Sequence, residues 1–359
     1  MKIALLSYST KPRGGVVHTL ALAEALAATG ADVTVWTLGR GGDGSFFRTV
    51  DPRVRQRILP FPDIDGEGVG PRILRSIETL RAAFEPSAYD IVHAQDCISA
   101  NAVARCVRTV HHLDNFTTPE LAACHERAIV RPFAHVCVSA AVAEELRAGW
   151  GIRATVIPNG VDAHRFALAA ADTAAVRRRQ AELGRYVLAV GGIEPRKGTL
   201  DLLEAFAVLR ESTPDVGLVI AGGETLFDYR DYRSRFDARA AELGIEPRVL
   251  GPVPHEELPS IVAAASVFAF PSTKEGFGLA AMEALAAGVP VVTRELPVLR
   301  EVFGGAARFA ADPAGFAAQL RAALDDPDSV REPGRALAAG YTWAKAADEH
   351  LALYRRLLG

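Results

Sequence analysis

One pattern occurs twice in this chain. It first runs through Lys2-Ile3-Ala4-Leu5-Leu6, a short apolar stretch of the kind that forms a buried strand. The glycine pair Gly14-Gly15 comes next, then Val16, Leu20, Ala23 and Ala27 at helical spacing, closed by Gly30. Residues 33–37 read as a second strand. The pattern restarts with a strand over 186–190, the pair Gly191-Gly192, and a helical face of Leu202, Leu203, Phe206 and Leu209. The strand Val216–Ala221 follows, closed by Gly222-Gly223. Strand, helix and parallel strand in succession form a right-handed crossover, which leaves a parallel sheet with helices on both faces. An α/β fold of two doubly wound domains is therefore expected. Further strands are expected at 90–93, 107–111, 135–138 and 155–157, and then at 248–250, Val267–Phe270 and 289–293.

The join falls near 160–185, where 163–175 is alanine-rich and 177–179 is all arginine. This places the domains at 1–163 and 164–341. After Thr342, a plausible N-cap, Trp343, Ala347, Leu351, Tyr354 and Leu358 form one apolar stripe, so 342–359 reads as a closing helix. Two doubly wound domains are expected to bind ligands beyond the carboxyl ends of their strands, and a pair of them suits a two-substrate reaction.

Charge narrows the function. Forty basic residues face 43 acidic ones, a net of −3, too balanced for a general nucleic-acid binder. Cys97, Cys106, Cys124 and Cys137 lack CxxC spacing, so buried reduced thiols and a cytoplasmic location are expected. The first residues do not read as a signal peptide, and no apolar run is long enough to span a bilayer.

Gly14-Gly15 lies in Gly-Gly-Val-Val-His rather than GxGxxG, and Trp36-Thr37-Leu38 stands where a ribose-binding acid would end the second strand. A dehydrogenase is thereby disfavoured. A bare backbone approaching a phosphate or sugar and a simple tight turn are equally open readings of the pair. In Gly191-Gly192-Ile193-Glu194-Pro195-Arg196-Lys197-Gly198, two cations stand at a helix entrance and repel each other unless an anion joins them. Arg196 and Lys197 are thus candidate phosphate ligands, against the alternative of a solvated basic turn. In the stretch from Pro271 to Leu285, Gly276 and Gly278 allow close backbone approach. Glu275 precedes the helix and Glu283 lies inside it, suited to a vicinal diol unless it simply points to solvent. Phe277 could equally be core. His93, His111 and His112 stand at expected strand ends. Asp63-Ile64-Asp65 matches a metal-binding DxD pattern but lies in a Pro/Gly-rich loop and is discounted.

Taken together, the glycine turn, Asp90-Ile91-Val92-His93-Ala94, Thr109-Val110-His111, Val138-Ser139, Pro158-Asn159-Gly160-Val161-Asp162, Lys197-Gly198 and the Glu275/Glu283 pair resemble retaining glycosyltransferases of family 4. The resemblance implies a GT-B fold: two Rossmann-like domains, the last helix returning to the first. It implies a hexose-type sugar passed from a UDP- or GDP-sugar to a hydroxyl of a small-molecule, lipid-linked or glycan acceptor, without metal or other cofactor. It leaves room for contact with the inner membrane surface. By resemblance, Lys197 binds the donor diphosphate and Glu283 the ribose. Glu275 binds the donor sugar with main chain of Phe277, Gly278 and Leu279, His111 lies near the reacting centre, and Gly15 approaches the phosphates. Two positions depart from the family pattern: Gly192 stands where Arg is usual, with Arg196 as its replacement, and Gln95 where His is frequent. The segment from Phe116 to Arg131 is expected to shape the acceptor site. A nucleotide-sugar epimerase, a phosphorylase of similar shape and a non-catalytic sugar-nucleotide binder are the rival readings.

Overall fold

The computed structural model describes residues 1–113, 119–222 and 229–359. Gly223 and Phe116 lie outside them. The chain divides into two units, Met1–Gly160 with Trp343–Gly359, and Val161–Thr342.

The first unit is a seven-stranded, all-parallel sheet. Its strands are β1 (Lys2–Leu6), β2 (Asp32–Arg40), β3 (Arg55–Phe61), β4 (Ile91–Ala94), β5 (Val107–Val110), β6 (Ala134–Cys137) and β7 (Thr155–Val156), in the order β3-β2-β1-β4-β5-β6-β7. The helices between them are α1 (Gly14–Ala28), α2 (Val69–Ala83), α3 (Cys97–Ala102), α4 (Pro119–Val130) and α5 (Ala140–Trp150). The central strands are buried on both faces: β1 reads as an apolar run after Lys2, while β5 buries Arg108 and Thr109 as well as its two valines.

The second unit opens with α6 (Ala163–Ala171) and α7 (Thr173–Leu183), so the alanine-rich join is helical, and Asp162 and Asp172 cap the two helices. Its sheet comprises β8 (Arg185–Val190), β9 (Val216–Ala221), β10 (Arg248–Gly251), β11 (Val267–Phe270), β12 (Val291–Arg294) and β13 (Arg308–Ala310), ordered β10-β9-β8-β11-β12-β13 and again all parallel. The remaining helices are α8 (Thr199–Ser212), α9 (Arg230–Glu242), α10 (Leu258–Ala264), α11 (Leu279–Ala286), α12 (Pro297–Phe303), α13 (Pro313–Asp325) and α14 (Arg331–Gly340).

The last helix, α15 (Trp343–Leu358), packs on α1, where Ala347, Leu351 and Tyr354 enter the core of Leu5, Leu20 and Val35. The stripe ends early: Leu358 is 53% exposed. The division also differs slightly from the expected one. It falls after Gly160 because the Val161 amide donates to the Tyr341 carbonyl (2.9 Å), tying that crossing to the second unit.

The strand order reverses between β1 and β4 in one unit and between β8 and β11 in the other. At such a switch point the chain leaves adjacent strands in opposite directions and opens a crevice beyond their carboxyl ends.

Candidate active site

In the second unit, β8 passes through Gly191-Gly192 into a single 3-10 turn, Pro195–Lys197, and then α8. Gly198 caps α8 with φ +62°, and a Cβ there would lie 2.2 Å from the Pro271 carbonyl oxygen. Only glycine permits that contact, which closes the turn after β8 onto the turn after β11. Across the contact the Thr273 amide donates to the Arg196 carbonyl (2.8 Å).

The charged side chains meet at the same place. Lys197 Nζ donates to Glu275 Oε1 at 2.7 Å, and Arg196 Nη1 reaches the same oxygen at 3.2 Å. Arg196 Nη2 donates to Glu194 Oε1 at 3.1 Å. This corrects the expectation that the two cations require a phosphate: two carboxylates of the protein already balance them. Gly191 makes room for the lysine, since a Cβ there would stand 3.2 Å from Lys197 Cε, and the ammonium lies 5.4 Å from the centre of the Phe270 ring. Gly192, beside it, is partly exposed.

Gly278 caps α11 with φ +98°, and a Cβ there would come within 2.9 Å of the Phe303 ring, so the fold itself demands this glycine. Gly276 is buried and Leu279 half-buried. The Phe277 ring is buried and meets the Tyr341 ring edge-on at 5.4 Å, leaving only its main chain for a ligand. Glu283 lies one turn into α11, half-buried. Burial pushes its carboxyl up to about 7; Arg165 pulls the other way and Asp162 adds to the rise.

In the first unit, Gly14 and Gly15 are the first residues of α1, not a turn before it, and Arg13 caps the helix with no side-chain bond. Gly15 faces His111: a Cβ there would stand 3.7 Å from His111 Cδ2 and Nε2. His111 follows β5. Its Nε2 is buried with no hydrogen-bond partner among the described residues, and burial holds the imidazole well below its usual pKa. The His111 ring meets the His18 ring edge-on at 4.7 Å.

The sequence reading passes over His18. It is 1% exposed, its Nδ1 lies 2.8 Å from Asn159 Oδ1, and Trp343 stands edge-on at 5.3 Å. An accepting oxygen at Nδ1 leaves the proton there and the lone pair on Nε2. His18 thus touches the residues beside both points where the chain crosses between units. Its signal was the histidine three residues after the glycine pair, quoted in the motif but not weighed. Gln95, just past β4, is 1% exposed with neither amide atom hydrogen-bonded among the described residues. A buried amide in that state at a switch point is a ready substrate contact. His93 does not end a strand but lies inside β4. It is a core histidine, with Nδ1 2.6 Å from Tyr354 Oη and Nε2 2.7 Å from Thr109 Oγ1. His112 is only half-buried, and Asp63 and Asp65 are exposed in their loop. Among the described residues no three His, Cys, Asp or Glu side chains are grouped to hold a metal ion.

Residues 12–165 match the model of Glycosyltransferase Family 4, and residues 174–337 that of Glycosyl transferases group 1. D-inositol 3-phosphate glycosyltransferase 1 of Catenulispora acidiphila is 30% identical, over 99% of this chain and 95% of its own. This chain belongs to glycosyltransferase family 4. The glycosyltransferase also shares its fold with sucrose-phosphate synthase from Thermosynechococcus elongatus, at a TM-score of 0.80 and 22% identity over 99% of both chains. The Anabaena protein HepE, solved with UDP and glucose, aligns at 0.78 and 20% identity over 98% of this chain and 99% of its own. The fold is therefore GT-B. In this glycosyltransferase, Lys197, Arg196 and Glu275 converge at the second unit's switch point, with Glu283 on the helix that follows. Gly15 and His111 converge at the first.

Proposed function

We propose that the enzyme transfers a hexose-type sugar from a nucleotide diphosphate donor to an acceptor hydroxyl, retaining the anomeric configuration and needing no metal. The observation that carries this is the Lys197–Glu275–Arg196 cluster at the β8/β11 switch point, with Glu283 one turn into the following helix. Lys197 and Arg196 exchange part of their ion pairing for the donor diphosphate, supplying the charge a divalent cation would otherwise bring. That exchange frees Glu275 for sugar hydroxyls, while Glu283 takes the ribose diol. In the first unit, His111 over the bare Gly15 backbone contacts the reacting sugar and acceptor, and the buried Gln95 amide past β4, unpaired among the described residues, offers a further polar contact. The bond from the anomeric carbon to the leaving phosphate breaks as the bond to the acceptor oxygen forms on the same face. The acceptor proton passes to the leaving phosphate, so no protein nucleophile is required and catalysis is largely positioning.

HepE, solved with UDP-glucose, makes a UDP-sugar the first donor to try, and the D-inositol 3-phosphate glycosyltransferases make a phosphorylated cyclitol the first acceptor. The test is a panel of UDP- and GDP-sugars scored by thermal shift, then by donor hydrolysis and transfer, with the product's anomeric configuration read by NMR. Activity abolished by EDTA and restored by magnesium overturns the metal-free reading. An inverted product overturns retention.

A further inference from the structure

Helices α2, α3 and α4 of the first unit, with Arg131 just past α4, line an open hollow of about 460 Å³ that takes no part in the site above. Asn101 lies near the end of α3, and Arg127 and Arg131 at the end of α4. From these helix ends the chain continues to the amino ends of β5 and β6. The cavity therefore lies at the amino edge of the sheet, whereas Gly15 and His111 follow carboxyl ends.

Its wall carries Arg75, Arg81, Arg127 and Arg131 against a single carboxylate, Glu78. Asn101, 5% exposed, organises them. Its Nδ2 donates to the Cys97 and Cys124 carbonyls, both at 2.8 Å, which fixes the amide. Its Oδ1 accepts from Arg127 Nε at 3.2 Å, and its main-chain oxygen from Arg81 Nη2 at 2.8 Å. Arg75 is clamped by Glu67 and lies 3.8 Å from the centre of the Phe61 ring. Among the described residues, Arg127 is held by Asn101 and the Cys124 thiol rather than by a carboxylate, and the Arg131 guanidinium makes no hydrogen bond or ion pair. The dipole of α4 favours cations at its end, which accounts for arginines there. It does not account for two of them four residues apart, one pre-aimed by a buried asparagine, beside a hollow of ligand size.

We propose that this cavity binds a phosphate group, with the Arg127 and Arg131 forks as its ligands, Arg81 being paired with Glu78 at 2.9 Å. A guanidinium pair presents parallel N–H donors that match phosphate oxygens. Leu74, which lines the cavity, and Val130, beside Arg131, are each 51% exposed. The phosphate can therefore belong to a soluble metabolite or to a lipid headgroup at a membrane surface, and the test separates the two.

Pyrophosphate is titrated calorimetrically into the wild type, into Lys197→Gln to silence the donor turn, and into Arg127→Gln/Arg131→Gln and Arg127→Lys/Arg131→Lys, each of the two doubles made in the Lys197→Gln background. The same proteins are floated with phosphatidylcholine vesicles with and without phosphatidic acid. Binding that survives Lys197→Gln should weaken at least ~10-fold in the double glutamine variant, or about 1.4 kcal/mol, with the double lysine variant between. A loss confined to pyrophosphate assigns a soluble ligand, and a loss confined to phosphatidic-acid vesicles assigns a headgroup. Lys197→Gln protein that binds neither probe, or a double glutamine variant that binds both as tightly as its Lys197→Gln parent, overturns the proposal. Neither readout needs catalytic turnover, so a failure here is distinct from a failure of the proposed transfer.

Discussion

Glu283 carries opposing demands of stability and binding. Burial raises its carboxyl to about 7, above the ordinary value of 4.5 for a glutamate. A raised native pKa contributes stability below the unfolded value and loses it as pH climbs through the native one. Ionised Glu283 therefore costs the unliganded protein stability near pH 8. Glu283→Gln removes that cost and should stabilise the second unit by about 1–3 kcal/mol at pH 8 and by little at pH 4.5, measured by denaturant unfolding at both. The same change should weaken nucleotide binding, and Glu283→Ala should weaken it more, since the amide keeps one acceptor. If UDP and GDP bind the alanine variant as tightly as the wild type, Glu283 does not hold the ribose. At the neighbouring cluster, Arg196 shares its fork between two carboxylates whereas Lys197, among the described residues, pairs with Glu275 only. Lys197→Met should accordingly lower kcat/KM more than Arg196→Ala does, with a loss of at least ~10-fold for the arginine, the scale of one charge-assisted hydrogen bond. Near-normal kcat/KM for Arg196→Ala would show that the lysine and the helix entrance suffice at the position where Gly192 replaces the usual arginine.

Elements were legible in the sequence where burial is symmetric. β1, β5, β8 and β11 are covered on both faces; β11, and β1 and β8 after a leading Lys2 and Arg185, read as apolar runs that stand out, whereas β5 buries Arg108 and Thr109 between its two valines. β3 and β13, which the pattern does not mark, each lie at one edge of a sheet, although the opposite edges, β7 and β10, were both expected. The first begins Arg55-Gln56-Arg57 and is largely exposed, and the second is three residues long. An edge strand shows solvent on one side and needs no apolar run. At the site, glycine spacing and the Glu275/Glu283 pair were readable because backbone strain and helix period are local. The pairing of Glu275 with Arg196 and Lys197, and the meeting of His18 with His111, depend on segments far apart in the chain and could not be counted off along it. Helix α15 shows the same limit: its stripe was visible, but the Tyr354 hydroxyl's bond to His93 was not. Tyr354→Phe leaves that buried imidazole nitrogen unpaired and should destabilise the first unit by about 1–3 kcal/mol, read as a lower Tm, without altering nucleotide affinity in the second.

Across the whole molecule, the two units should answer acid in opposite ways. His18 and His350 are pushed by burial to about 3 and about 4, and His93 and His111 lie well below the usual imidazole range for the same reason. All four belong to the first unit. A depressed native pKa means full stability above the unfolded value near 6.5, lost progressively as pH falls and the unfolded state alone takes up protons. Lowering pH from 7 to 5 should thus destabilise the first unit, by about 1–2 kcal/mol for each imidazole, while relieving Glu283 in the second. Calorimetry should show thermal transitions that separate as pH falls. Transitions that stay superimposed down to pH 5 would contradict this. The placement of α15 also orders events during synthesis. The second unit is continuous in the chain, so its core is complete once residue 342 has left the ribosome. The first unit emerges earlier yet lacks the helix that covers α1 until residue 358 follows, and through that interval its nascent sheet carries an open apolar face that a chaperone can grasp.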